Sequence, residues 1–324
     1  MPERVRFGIL GGARIAKSQL VPAILASPYA SFAAFASQTT PSYNEWTSLY
    51  PEAKAFDRYE DLIESSLVDA IYIPLPNSLH AKWTVAALEA GKHVLCEKPM
   101  FITVEEGRKV IETQHKAGKI AAEAFMYRYH PQYKWLMDLI SRGELGEIKH
   151  ISAEFGYTLE NLADIRMQKD LGGGSLWDVG CYTVDIARTI LGKPLRAKAF
   201  AMYGGTGVDI SMAMMLEYKR ATALLRCGFD LCPTQGVRVV GTKGYAGLSM
   251  PFRPDLGAPK RIFNGSVEAV EPFNMYRAEV DAFCTAIIDG ATNALMTLSD
   301  SLEQVTILTG IHTAARENTS VTFD

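Results

Sequence analysis

A chain of 324 residues exceeds what one hydrophobic core usually organises, so two domains are expected. Hydrophobic residues at 48%, charged residues at 21% and a formal net charge of −3 argue against disorder and against a basic face for nucleic acid. No apolar run reaches the ~18 residues of a membrane span, and the opening MPERVRFGIL does not read as a signal peptide.

The five cysteines have no CxxC spacing, which fits reduced thiols in a cytoplasmic protein. The six histidines form no HExxH and no paired His/Cys spacing, so no metal is expected.

In chain order, Arg4–Leu10 reads as a buried strand that GGARIA turns into a helix over Ala13–Ala26, with apolar residues at Ile15, Leu20, Ile24 and Leu25. A strand at Ser31–Ser37 is followed by helices near Ser42–Leu49 and Asp61–Ser65 and a strand at Asp69–Ile73. Next come a helix at Leu79–Ala90 and a strand at His93–Cys96. Thr103 with Glu106 three residues on matches a capping box for a helix that stops at Gly118, and Ile120–Phe125 reads as another strand. This alternation is the signature of a doubly wound parallel sheet, here a Rossmann domain over residues 1–122.

The pattern then changes. One strong helix at Ser175–Leu191 precedes strands at Ala197–Tyr203, Val208–Tyr218, Ala221–Phe229 and Val237–Val240, and helices near Met275–Asp289 and Ser299–Arg316 follow. Residues 123–324 are therefore expected to form an α+β domain on a mainly antiparallel open sheet, which binds substrate. With only one helix layer to cover it, that sheet leaves a face for a partner, and a homodimer or tetramer is expected.

FGILGGARIA contains Gly11-x-Ala13-x-x-Ala16, a degenerate dinucleotide fingerprint in its confirming place between a strand and a helix. Gly11 permits the tight turn, Ala13 leaves room for a pyrophosphate, and Ala16 lets the helix approach the sheet, while the helix N-terminus offers N–H groups to the phosphates. The end of the second strand carries Ser37, Gln38, Thr39 and Thr40, neither the acid of an NAD site nor the arginine of an NADP site. Arg14, within the turn, is in reach of a 2′-phosphate, so NADP is slightly preferred over NAD.

Three further stretches carry chemistry: Pro74-Leu75-Pro76-Asn77-Ser78-Leu79-His80, Glu97-Lys98-Pro99, and Gly172-Gly173-Gly174-Ser175-Leu176-Trp177-Asp178-Val179-Gly180-Cys181-Tyr182. With Ala122–Pro131 (AEAFMYRYHP) they resemble the glucose–fructose oxidoreductase/inositol dehydrogenase family. The chain looks nearest that family's dimeric dihydrodiol dehydrogenase and NADP-dependent xylose dehydrogenase branch, over essentially its whole length. The resemblance implies hydride transfer between nicotinamide and a hydroxyl or carbonyl carbon of a small-molecule sugar, polyol or cyclic diol.

Alcohol oxidation needs a hydride acceptor and a base for the hydroxyl proton. Lys98 emerges at the carboxyl edge of the sheet, where an ammonium can hold the substrate oxygen. Asp178, Tyr182 and Asp185, spaced four and three apart, share one helix face. Tyr182 is the candidate proton-transfer residue, where other family members carry histidine. Asp178 either orients Lys98 or binds substrate, or sits in the first helical turn for its dipole. Pro74, Asn77, His80 and Glu97 are assigned to the cofactor with Gly11, Ala13, Arg14, Ile15, Ser37, Gln38 and Lys98, and Arg166 to substrate. Arg128 has a status similar to Arg166. A non-catalytic NAD(P) or sugar sensor on the same fold is the rival reading.

Overall fold

The computed structural model describes residues 3–323, and the chain divides into two compact units. One runs through Met126 and takes up again at Asn274–Leu302; the other is Tyr127–Phe273 with the chain from Glu303 onward. This differs from the expected division after residue 122, chiefly because a late helix returns to the first unit.

The first unit is built on a six-stranded parallel sheet: β1 (Val5–Leu10), β2 (Ala30–Ala36), β3 (Lys54–Phe56), β4 (Ala70–Ile73), β5 (His93–Glu97) and β6 (Ala121–Ala124). Its order, β3-β2-β1-β4-β5-β6, is the Rossmann order, which reverses between β1 and β4. β4 is buried at every position, as a parallel strand covered on both faces must be. The crossover helices are α1 (Val21–Ala26), α2 (Thr40–Leu49), α3 (Tyr59–Glu64), α4 (Asn77–Glu89) and α5 (Val104–Ala117).

The helix expected at Ala13–Ala26 starts at Arg14 and widens into a π turn over Ala16–Leu20, where the Val21 N–H bonds to Ala16 O. Pro22 supplies a reason: it has no N–H and its ring crowds the carbonyl four residues back. Leu25, placed on the apolar stripe by spacing, is 61% exposed. The capping box is present in full, with Glu106 N–H on Thr103 Oγ1 and Thr103 N–H on Glu106 Oε2, both 3.1 Å.

The second unit holds α6 (Pro131–Ser141), β7 (Ile148–Thr158), α7 (Cys181–Leu191), β8 (Arg196–Tyr203), β9 (Asp209–Glu217), β10 (Thr222–Gly228), β11 (Asp230–Gly241), β12 (Tyr245–Leu248), β13 (Lys260–Phe263), β14 (Ser266–Ala269) and β15 (Ser320–Thr322). Its nine strands run β14-β13-β12-β11-β7-β10-β9-β8-β15, antiparallel except for the central β7–β10 pair. β7 is an addition to the strands expected from the sequence, with Ile151, Ala153 and Phe155 alternating inward along it. α7 packs on β7 and β10, and Gln304 on the last helix, α9 (Leu298–Glu317), donates to Cys181 O at 2.6 Å.

The returning helix is α8 (Met275–Asp289), which packs against α1, β1 and β2. Its Val280, Phe283 and Cys284 are fully buried, and the Phe283 ring lies 5.9 Å from that of Phe7. Full burial of one such side chain stabilises by about 1.5–3 kcal/mol, enough to hold a single helix on the sheet.

Candidate active site

Parallel pairing sets Gly11, Ser37, Pro74 and Lys98 just beyond the carboxyl ends of β1, β2, β4 and β5, with Glu97 the last residue of β5, on one edge of the sheet. Gly11 (φ +82°) closes the turn so tightly that a Cβ would fall 2.7 Å from Leu75 Cδ2, across the switch point between β1 and β4. Ala13 and Ile15 are half-buried and Arg14 is exposed beside them.

Gly12, read only as a spacer, is just as constrained: a Cβ there would collide with the Ser42 hydroxyl and lie 3.5 Å from Trp46 Nε1. Ser42 Oγ and Trp46 Nε1 are buried without a hydrogen-bond partner among the described residues. Only a residue without a side chain fits between the turn and these two groups. After β2, Ser37 is buried while Gln38, Thr39 and Thr40 are exposed, uncharged hydrogen-bonding groups.

The chain around Lys98 is held on its far side by two buried side chains. His80 Nδ1 lies 2.7 Å from Pro99 O and its Nε2 2.6 Å from Leu75 O, so the imidazole is wedged between the β4 and β5 loops and its one N–H donates to one of the two carbonyls. Glu123 on β6 accepts the Met100 N–H at 3.0 Å. Burial pushes the His80 pKa down to about 4. With 1% exposure and a carbonyl on each nitrogen, His80 is a structural strut, which corrects its assignment as a cofactor ligand. Asn77 is the first residue of α4, after Pro76 at the cap position. Glu97 accepts the Tyr72 hydroxyl at 2.6 Å, and Glu279 on α8 is held well above the usual carboxylate range by burial and the nearby Glu97 charge.

In the second unit, Tyr182 is the second residue of α7 and 4% exposed. Its ring packs on Phe155, Phe252 and Tyr127 at centroid distances of 5.4, 5.5 and 5.8 Å, which fixes the phenol's direction. Asp178 lies in a π turn, Leu176–Gly180, that leads into α7. Its Oδ2 accepts the Tyr157 hydroxyl at 2.7 Å and pairs with Arg166 Nε at 3.3 Å. The Asp178 charge raises the Arg166 pKa further above its already high value.

At the triple glycine the close neighbour is protein: a Cβ on Gly173 would fall 2.4 Å from Arg166 O, and Gly174 N–H bonds to that oxygen at 2.9 Å. Arg128 and Asp185, which look like site residues in the sequence, form a buried ion pair instead. Arg128 Nε donates to Asp185 Oδ2 at 2.8 Å and the Tyr127 hydroxyl does so at 2.6 Å, with Arg188 3.4 Å away. Arg128 holds the Asp185 carboxyl below its ordinary pKa against the upward push of burial.

Tyr157, Ser42 and Glu279 escaped the sequence reading because none sits in a motif, and Glu123, though it lies in the AEAFMYRYHP stretch, was given no role there because its partner Met100 is set by sheet register. Among the described residues there is no cluster of three potential metal ligands and no helix long and apolar enough to cross a membrane. No disulfide forms among the described residues, and Cys232 is the exposed one of the five cysteines.

Residues 5–125 match the model of an oxidoreductase family with an NAD-binding Rossmann fold, and residues 133–246 match the C-terminal domain of the same family. The chain is 37% identical to D-xylose 1-dehydrogenase (NADP(+)) 2 of Haloferax volcanii, across 98% of this chain and 99% of that one. Its structure superimposes with a TM-score of 0.90 on the aldose–aldose oxidoreductase of Caulobacter crescentus complexed with glycerol, at 26% identity, covering 99% of this chain and 100% of that one. The 3-ketoreductase of Actinomadura kijaniata with NADP and TDP-benzene gives a TM-score of 0.89 at 28% identity, covering 96% and 98% of the two chains. Strand order, glycine turn, Glu-Lys-Pro loop and these likenesses agree, and the chain belongs to the GFO/IDH/MocA family of oxidoreductases.

Proposed function

We propose that this chain is an NADP-dependent oxidoreductase that moves a hydride between the nicotinamide and a hydroxyl or carbonyl carbon of a sugar, polyol or cyclic diol. The observation that carries the reading is the anchored Lys98 loop. His80 and Glu123 tie the backbone just after Lys98, at the sheet edge that also bears the glycine turn. A sensor needs the turn but has no use for a lysine set on so firmly anchored a backbone at this edge.

NADP is favoured over NAD because no carboxylate stands after β2 to oppose a 2′-phosphate, while Gln38, Thr39 and Thr40 offer hydrogen bonds there. The Haloferax relative is itself named for NADP. Gly11, Gly12, Ala13, Arg14, Ile15, Ser37, Gln38, Pro74, Asn77 and Glu97 would hold the dinucleotide, whose nicotinamide supplies the hydride acceptor or donor when bound.

Lys98 and Tyr182 act on the same substrate oxygen: the ammonium steadies its developing charge and the phenol moves its proton. A free phenol titrates near ~10, three units above neutrality, which is a gap of ~4 kcal/mol. A cation ~4 Å away at an effective dielectric of ~20 contributes ~4 kcal/mol, so one lysine is of the right size to make a tyrosine a usable base. Arg166, aligned by Asp178, holds the polar body of the substrate.

The open face of the second unit's sheet supports a homo-oligomer. Phe200, Met215 and Leu224 are 70%, 47% and 50% exposed on β8, β9 and β10, and Leu224 stands directly opposite Met215. Apolar side chains grouped this way fit a partner's matching face better than water.

A panel of aldoses, polyols and diols with NADP or NAD, followed by the absorbance of reduced nicotinamide, tests the proposal. Turnover of at least one sugar or diol with NADP is expected. Cofactor binding without turnover across the panel favours the sensor instead.

A further inference from the structure

One acid in the second unit plays no part in the chemistry above. Asp209, the first residue of β9, is 1% exposed. Its Oδ2 accepts the Ser175 hydroxyl and the Leu176 N–H, each at 2.7 Å. Those residues open the π turn that carries Asp178 and leads to Tyr182, where helical N–H groups have no partner further back in the helix. The fit is close enough to dictate a neighbour: at Gly174 (φ +124°) a Cβ would fall 2.2 Å from Asp209 Oδ1.

The groups around the carboxylate are uncharged at neutral pH. They are the Ser175 hydroxyl, 3.5 Å from Cys227 Sγ, the buried Cys227 thiol on β10, and the phenol of Tyr203, its ladder partner on β8. No ion pair among the described residues includes Asp209, in contrast to Asp178 and Asp185.

We infer that Asp209 is a positioning residue for the active-site helix, and that its ionised carboxylate holds the start of that helix where Asp178 and Tyr182 can work. Burial raises its pKa to about 6, with Ser175 and Leu176 pulling in the opposite direction. Mild acid therefore protonates the acceptor and slackens the hydrogen bonds at the helix start, while the Rossmann turn is untouched. The kinetic consequence rests on the oxidoreductase reading; the link between Asp209 and the fold does not.

The experiment compares wild type with Asp209→Asn and Ser175→Ala between about pH 5 and pH 8, measuring kcat, KM, NADP affinity and thermal unfolding. Wild-type kcat is expected to fall on the acid side with a midpoint near 6. Asp209→Asn should lose that limb and at least ~10-fold in neutral kcat, with NADP affinity unchanged. Ser175→Ala removes a bond that favours the anion, so its limb should move to higher pH; it decides the matter if Asp209→Asn does not fold. An acid limb identical in wild type and both variants overturns the inference.

Thermal unfolding separates the two claims. The folded pKa lies above the unfolded ~3.9, so wild type should lose Tm relative to Asp209→Asn as pH rises through 6. If no substrate is turned over, the oxidoreductase reading fails by itself, and a Tm difference that ignores pH overturns the role of Asp209.

Discussion

Replacing Arg166 by Met and Asp178 by Asn, singly and together, tests whether the two act as one substrate-holding unit. Their atoms are 3.3 Å apart, and the side chains are 37% and 15% exposed. At that separation two unit charges attract by ~5 kcal/mol at an effective dielectric of ~20 and by ~1.3 kcal/mol in water. Partial exposure of Arg166 screens the pair towards the lower figure, leaving ~1–3 kcal/mol of coupling. Expressed in kcat/KM, the double variant should be ~5–150-fold more active than the product of the two single losses predicts. The assay is kcat/KM for the best sugar at neutral pH, with NADP affinity as control. Losses that add to within ~0.5 kcal/mol would show that Asp178 does not work through Arg166.

Further outcomes follow from other groups. Glu279 keeps its proton in the fold far above the ~4.3 of an unfolded chain, so its share of stability is full below that value and falls as pH rises. Glu279→Gln should therefore gain Tm over wild type between about pH 5 and pH 8, and a pH-independent difference contradicts this. Arg128→Met leaves Arg188, 3.4 Å away, as the remaining cation on the Asp185 carboxylate, which is 0% exposed, and should cost more than ~1 kcal/mol in urea unfolding but less than the ~3–5 kcal/mol of an uncompensated buried charge; a loss under ~1 kcal/mol would mean the Arg128 pair is not structural. Leu224→Glu on the open sheet face should convert an oligomer to monomer in light scattering, and a monomeric wild type defeats the oligomer outright.

What could be read in the sequence was what is local. The glycine turn, the capping box and the Glu-Lys-Pro loop each lie within a few residues, and local sterics and hydrogen bonding fix them. The residues that make those loops rigid come from elsewhere. Glu123 reaches Met100 because β6 pairs with β5, and Asp209 reaches Leu176 across 33 positions. The return of α8 depends on Phe283 meeting Phe7, which helical periodicity cannot foretell, since it gives a face but not its partner. Asp185 and Arg128 misled for the same reason: a charged residue on a helix next to a motif looks alike whether it faces substrate or closes a buried pair.

The most direct test is hydride transfer by Lys98→Met. NADP affinity should stay within ~3-fold of wild type, since the turn and the β2 edge are unaltered, while the single-turnover rate should fall at least ~100-fold. Transfer at the wild-type rate would contradict the central claim that this ammonium steadies the reacting oxygen.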